Sequence, residues 1–332
     1  MQVLPKIGFG GIVQDNTATH WVRQADFLEL LDLCTKDLGM AYIDSAEGYL
    51  LSEQTIGQWL ARQGAGFRSQ IFLGTKVSPW FRRGGCDSPE PLSKSVVVQR
   101  CEESLQRLKT DYLDIFWLHS IDPNNHDWNE VLDAFSHLHR RGLVRYFGIS
   151  NVYSKTILSD MRRSCEVMGA KLPDYLQNEF NLIYADQMSS IIQAAQDIGI
   201  KYAAFSPLAA GILSGKYHFE ADLNHDVLPI GSRWHAWKGR FPPSCWNGSV
   251  FRAIDELGIL ATHHNLSVAG LALAYVMNHP QISCTITGPK NRSHLKDVRD
   301  AREFAMPPDL MVHMEDLFRG LSLPHDGFQN QG

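Results

Sequence analysis

Short apolar runs alternate along this chain with longer stretches whose apolar residues recur on one helical face. The runs are IGFG (7–10), YIDSA (42–46), IFLGTK (71–76), YLDIFWLH (112–119), VRYFGIS (144–150), YLQNEF (175–180), KYAAFSP (201–207) and CTITG (284–288). Each is brief, rich in β-branched or aromatic residues, and nearly continuous rather than alternating. That is the pattern of a strand buried on both faces. Between them, SKSVVVQRCEESLQRLKTD sets Val98, Cys101, Leu105 and Leu108 on one helical face. NEVLDAFSHLHRRG stripes Val131, Leu132, Phe135 and Leu138, then meets Gly142, a residue suited to ending a helix. SEQTIGQWLARQG opens on Ser52, the expected cap of its helix.

Strands that alternate with helices pair in parallel through crossover connections. Eight of them predict an α/β fold, a closed (β/α)8 TIM barrel formed as one domain over residues 1–332. An open doubly wound sheet is the rival; against it, no G-x-G-x-x-G opens a helix, and GFGGIV has too few correctly spaced glycines. Two long segments interrupt the rhythm, 78–94 after the third strand and 218–249 after the seventh. Both follow the C-terminal end of a strand, the face where barrel enzymes build their sites. The second carries Trp234, Trp237, Phe241 and Trp246, which suit either a flap over a ligand or anchors pinning the loop to the barrel.

Composition narrows the function classes. The chain has 332 residues, 44% of them hydrophobic and 20% charged, ordinary values for a folded globular protein. Its formal net charge of -5 gives no reason to expect a nucleic-acid partner. No apolar stretch reaches membrane-spanning length, and the start MQVLPKIGFGG does not read as a secretory signal. Cys34, Cys86, Cys101, Cys165, Cys245 and Cys284 are scattered without a C-x-x-C pair, so they are expected to be reduced thiols of a cytoplasmic protein with no metal site. The three N-x-S sequons, at Asn247, Asn265 and Asn291, carry no weight without a signal peptide.

Polar residues gather at the C-terminal ends of the proposed strands: Asp44 on the second, Lys76 on the third and His119 on the fourth, with Tyr49 in the loop after Asp44. Each alone has an ordinary reading, as a turn cap, a half-buried aromatic, a snorkelling lysine or a satisfied core histidine. Four at the catalytic end of neighbouring strands is a different matter, because burying Lys or Asp is costly without a partner. The set suits proton transfer to a carbonyl oxygen. A phenol is too weak an acid near neutral pH, and a nearby ammonium lowers its pKa. Aspartate keeps that ammonium charged, and histidine orients the oxygen on which negative charge develops. Such a group gives a proton but no electrons, so net reduction needs a hydride donor beside it. A barrel lyase or aldolase using Lys76 as a Schiff-base nucleophile is a competing class.

YIDSAEGYLLSE (42–53), LGTKV (73–77), YLDIFWLHSID (112–122), YFGISN (146–151), LQNEFN (176–181) and FSPLAAGILSGKY (205–217) together resemble the aldo-keto reductase superfamily. The resemblance runs from the IGFGG strand to GPKNRSHLKD, nearly the whole chain. It implies a (β/α)8 barrel that binds a nicotinamide cofactor without a Rossmann domain and acts on a small carbonyl substrate. Under it, Tyr49 is the general acid, Lys76 and Asp44 tune it, and His119 orients the carbonyl. Ser150, Asn151 and Gln177 would hold the nicotinamide carboxamide. Phe205 stands where a tyrosine commonly stacks on the nicotinamide ring. Ser206, Leu208, Gly211, Ser214 and Lys216 belong to the loop crossing the pyrophosphate. TGPKNRSHLKDV (287–298) matches the adenosine-phosphate segment, with Gly288, Lys290, Asn291, Arg292 and Asp297 as its candidates. Asp297, Val298 and His294 depart from the residues common there. The basic residues favour NADPH (NADP+), with NADH as the alternative. Trp80, Trp234 and Trp237 are the candidate substrate contacts. Some members of this fold are cofactor-binding regulatory subunits of larger assemblies, a second reading of the chain.

Overall fold

All eight apolar runs form strands of one closed sheet. In this computed structural model, which describes residues 3–14, 22–80, 89–121, 127–217 and 248–321, they are β1 (Ile7–Gly10), β4 (Tyr42–Asp44), β5 (Phe72–Val77), β6 (Leu113–Leu118), β7 (Val144–Ser150), β8 (Tyr175–Glu179), β9 (Lys201–Phe205) and β10 (Ile282–Thr287). The order is β1-β10-β9-β8-β7-β6-β5-β4, and β1 pairs in parallel with both β10 and β4. The rival open sheet is therefore excluded. A two-residue pair that the hydrophobic pattern does not signal, β2 (Val13–Gln14) with β3 (Val22–Arg23), lies outside the barrel.

Helices separate the strands: α1 (Gln24–Asp32), α2 (Ser52–Leu60), α3 (Lys94–Leu108), α4 (Trp128–Arg140), α5 (Lys155–Met168), α6 (Ala185–Asp197), α7 (Gly248–His263), α8 (Val268–Asn278), α9 (Arg292–Glu303) and α10 (Pro308–Phe318). None of them is long and apolar enough to cross a membrane. One helix expectation needs correction. Ser52 is not a cap: Leu51 holds that position, and the Ser52 hydroxyl accepts from Val13 N (2.9 Å) and donates to Gly11 O (3.1 Å), tying α2 to the loop after β1. On α3 the predicted face holds, with Cys101, Leu105 and Leu108 buried and Val98 partly buried against the same core, and Val97, Arg100 and Ser104 are buried beside it. On α4 the predicted stripe is buried, Asp127 caps the helix, and Gly142 follows it at φ 73°, a left-handed conformation that favours glycine.

The interior holds Tyr42, Phe72, Ile115, Trp117, Tyr175, Ala203, Cys284 and Ile286, while a larger apolar layer fills the space between strands and helices. The interior residues recur every second position, as a pleated strand requires. Continuing that alternation toward the C-terminal ends reaches Asp44, Lys76, His119, Ser150, Gln177 and Phe205. Two glycines make room for the large rings beneath: a Cβ on Gly148 would sit 2.1 Å from Trp117 Cε3, and one on Gly74 would sit 3.0 Å from the Tyr42 hydroxyl. The loops expected to cover this face lie mostly in 81–88 and 218–247, outside the described residues, as do Trp234, Trp237, Phe241, Trp246, Cys86 and Cys245.

Candidate active site

Strand alternation brings three of the predicted catalytic residues to one end of the barrel. Asp44 ends β4, Lys76 lies near the end of β5, and His119 follows β6, its N–H bonded to Val77 O (2.7 Å). Their exposures are 4%, 1% and 7%. The Lys76 ammonium donates to an Asp44 carboxylate oxygen and to Ser45 O (2.8 Å). A fully buried lysine is tolerated only with such partners. Those contacts also answer the Schiff-base reading. A nucleophilic amine needs a free approach to its substrate, and this nitrogen is engaged by a carboxylate and a carbonyl below the rim.

Tyr49 sits above them on the turn after β4, its N–H bonded to Ala46 O (3.0 Å), and is half-buried. The Lys76 ammonium lies 5.2 Å from the centre of its ring, and the His119 ring meets it edge-on at 5.6 Å. Burial, with the Lys76 ammonium nearby, pushes the His119 pKa well below its ordinary 6.5, so the imidazole is neutral at physiological pH.

Tyr42 escaped the sequence reading. Its hydroxyl donates to Asp44 Oδ1 (2.5 Å) and accepts from Trp117 Nε1 (3.2 Å). Burial, reinforced by Asp44, raises its pKa well above the phenol range, so it remains a donor. The available signal was spacing: Tyr42 is two residues before Asp44, on the same strand face.

Beside this group, Gln177 Nε2 donates to Asp44 Oδ1 (3.3 Å) and Ser150 Oγ donates to Gln177 O (2.7 Å). Asn151 has φ 57°, its Nδ2 bonds His119 O (2.8 Å), and its Oδ1 accepts from the Tyr153 hydroxyl (3.1 Å). The amide and hydroxyl trio is thus one network with the catalytic candidates. Phe205 is half-buried at the end of β9, next to Ser206 at φ 52°.

The turn over 206–215 offers a test of fit for a dinucleotide. Ala209, Ala210, Gly211 and Gly215 all have positive φ, and a Cβ on Gly211 would lie 3.3 Å from the Lys216 ammonium. Left-handed turn backbone beside an exposed ammonium suits a phosphate. Ser214 Oγ donates to Gly211 O (2.6 Å) and braces the turn, while Leu208 is half-buried within it.

The adenosine-phosphate candidates lie at the start of α9, after exposed Gly288. Asn291 caps the helix by accepting from His294 N (3.0 Å), and Lys290 N donates to His294 Nδ1 (3.2 Å). Arg292 pairs with Glu29 (2.6 Å), Asp297 accepts from Ser267 Oγ (2.6 Å), and Val298 is buried. Asn291 and Asp297 therefore do local structural work in this arrangement. Trp80 is half-buried after β5, its N–H bonded to Ser78 Oγ (3.1 Å). Among the described residues no cluster of His, Cys, Asp and Glu could hold a metal ion.

The profile of the Aldo/keto reductase family matches residues 6–318. This chain belongs to that family. As an aldo/keto reductase it is an NAD(P)H-dependent oxidoreductase of small carbonyl compounds. Its relatives include "Aldo-keto reductase str7" of Strobilurus tenacellus, 26% identical over 96% of this chain and 86% of the relative. They also include L-glyceraldehyde 3-phosphate reductase of Escherichia coli, 26% identical over 79% of this chain and 74% of the relative. A third is a probable voltage-gated potassium channel subunit beta of Arabidopsis thaliana, 27% identical over 80% of this chain and 78% of the relative.

Proposed function

We propose that the protein catalyses NADPH-dependent reduction of an aldehyde or ketone to an alcohol, with Tyr49 as the general acid. The observation that carries this reading is the buried Lys76–Asp44 pair whose ammonium faces the Tyr49 ring at 5.2 Å. An ion pair so deep is no efficient stabiliser, because desolvation offsets most of its Coulomb energy. Its use is chemical. The fixed cation favours a developing phenolate and so eases release of the Tyr49 proton. Asp44, held in turn by Tyr42 and Gln177, keeps the Lys76 side chain in place. His119, neutral, donates one N–H to the substrate oxygen without competing as an acid.

When bound, the nicotinamide supplies the hydride. Ser150, Asn151 and Gln177 would hold its carboxamide, and Phe205 would lie against the ring. The Gly211 turn with Ser206, Leu208, Ser214 and Lys216 would face the pyrophosphate, and Gly288, Lys290, Asn291, Arg292 and Asp297 would line the adenosine end. Lys290 and Arg292 are the reason to favour NADPH over NADH. Arg292 must exchange Glu29 for the 2′-phosphate, and both side chains are more than half exposed, so that exchange is cheap. Trp80 is the described candidate for a substrate contact.

The test is NADPH consumption with simple aldehydes by wild type and Tyr49→Phe. A loss of about 10²-fold or more fits general acid catalysis, and equal rates would remove Tyr49 from the mechanism. The regulatory reading draws on the relative named as a channel subunit. It predicts dinucleotide binding with negligible turnover and a stable protein partner.

A further inference from the structure

A buried and a part-buried arginine–glutamate pair flank the Tyr49 turn, and the proposed chemistry uses neither. Glu47, two residues before Tyr49, accepts from Arg100 Nε (2.9 Å) and also from Arg100 Nη2, a two-pronged contact with side chains only 5% and 8% exposed. Glu53, four residues after Tyr49, accepts from Arg107 Nε (2.5 Å) and from Thr75 Oγ1 (2.6 Å). Arg100 and Arg107 are seven residues apart on α3, two turns along one face. The outer polar contacts then reach the other strands. Glu47 Oε1 accepts from Ser78 N (3.0 Å), and Ser78 Oγ pairs with Ser120 Oγ (2.9 Å). Thr75 and Ser78 bracket Lys76, and Ser120 follows His119.

Resting on the reading of Tyr49 as proton donor, we infer that Arg100, through Glu47, is a positioning residue that fixes the Tyr49 turn against the strands carrying Lys76 and His119. The physical ground is economy. A buried ion pair contributes little stability over apolar side chains of equal size. It does hold two segments in one relative orientation, because a guanidinium fork meets a carboxylate in few ways. The Tyr49 side chain is itself only half-buried, so apolar packing alone does not hold it. α3 adds a constraint from outside the barrel, with the Arg107–Glu53 pair anchoring the far end of the turn.

The experiment replaces both charges together, Glu47→Met with Arg100→Met, which leaves neither member of the pair buried alone; Glu90, which Arg100 Nη1 also meets at 3.5 Å, is part-exposed and turns to water. Kinetics of NADPH-dependent benzaldehyde reduction are compared in the wild-type and Tyr49→Phe backgrounds, with the thermal shift caused by NADP+ as the measure of an intact cofactor site. The expected result is a kcat about 10²-fold lower in the wild-type background, the cost of a misplaced catalytic group. Within twofold no further loss follows in Tyr49→Phe, and the NADP+ shift is unchanged. An equal loss in both backgrounds, or no loss in the first, overturns the inference while leaving Tyr49 as donor. A Tyr49→Phe enzyme as fast as wild type sinks the underlying reading instead, and this one with it. If the double variant lacks the NADP+ shift, Arg100→Lys, which keeps a cation on Glu47, carries the same comparison.

Discussion

Replacing Glu179 with glutamine should stabilise the protein, and increasingly so as pH rises. Glu179 ends β8 with 1% exposure. Its Oε1 accepts from Asn181 Nδ2 (3.1 Å), and its Oε2 has no hydrogen-bond partner among the described residues. Burial, opposed only by the Asn181 bond, pushes the carboxyl pKa up from 4.5 to about 8. The folded state therefore prefers the neutral acid, whereas the unfolded chain ionises near 4.5. Below that value the group costs nothing. As pH rises toward about 8 the unfolded state gains charge that the folded state refuses, and stability is lost at about 1.4 kcal/mol per pH unit. Between pH 5 and pH 7 that amounts to about 3 kcal/mol. Glutamine keeps the volume and the Asn181 bond and does not titrate. Urea unfolding of both proteins at pH 5, 6, 7 and 8 reads the difference. Curves that run parallel across that range would refute a neutral Glu179.

Three further outcomes follow from the geometry. Gly57→Ala should destabilise by about 1–3 kcal/mol or more, read by denaturant unfolding. Its Cβ would meet Arg107 O at 2.1 Å and the Leu108 carbonyl carbon at 2.9 Å, and both are backbone atoms of α3 that cannot swing away. His119 is held neutral by burial and Lys76, so kcat/KM for carbonyl reduction should lack an inflection near the ordinary histidine pKa of 6.5; a break there that disappears in His119→Gln would contradict this. Asp44→Asn leaves the Lys76 ammonium buried without its counter-charge. It should cost about 3–5 kcal/mol in unfolding experiments, in addition to its effect on turnover.

Much of the site was legible because strand chemistry is local. A strand end fixes which face a residue takes, so Asp44, Lys76 and His119 were predictable from their place in apolar runs. Tyr42 was equally available from the two-residue spacing, yet an aromatic in an apolar run reads as core until its hydroxyl is seen on Asp44. Ser52 has a cap's identity and a cap's position in the pattern, but its hydroxyl binds the loop after β1, a partner about forty residues away. Arg100 and Arg107 read as the polar side of an amphipathic helix. Their partners Glu47 and Glu53 lie more than fifty residues earlier, and no local pattern links them.

What the sequence determined was the alternation of doubly buried strands and one-faced helices, hence parallel pairing, and the residue types at the strand ends. Periodicity is a nearest-neighbour property, so it survives in one dimension. Tertiary structure alone decided that β1 meets both β4 and β10, so that the sheet closes and turns eight separate strand ends into one rim. It also decided which charges find each other. Coulomb attraction and hydrogen bonding depend on distance in space, and Lys76–Asp44, Arg100–Glu47 and Arg292–Glu29 become pairs only when the barrel brings distant segments together.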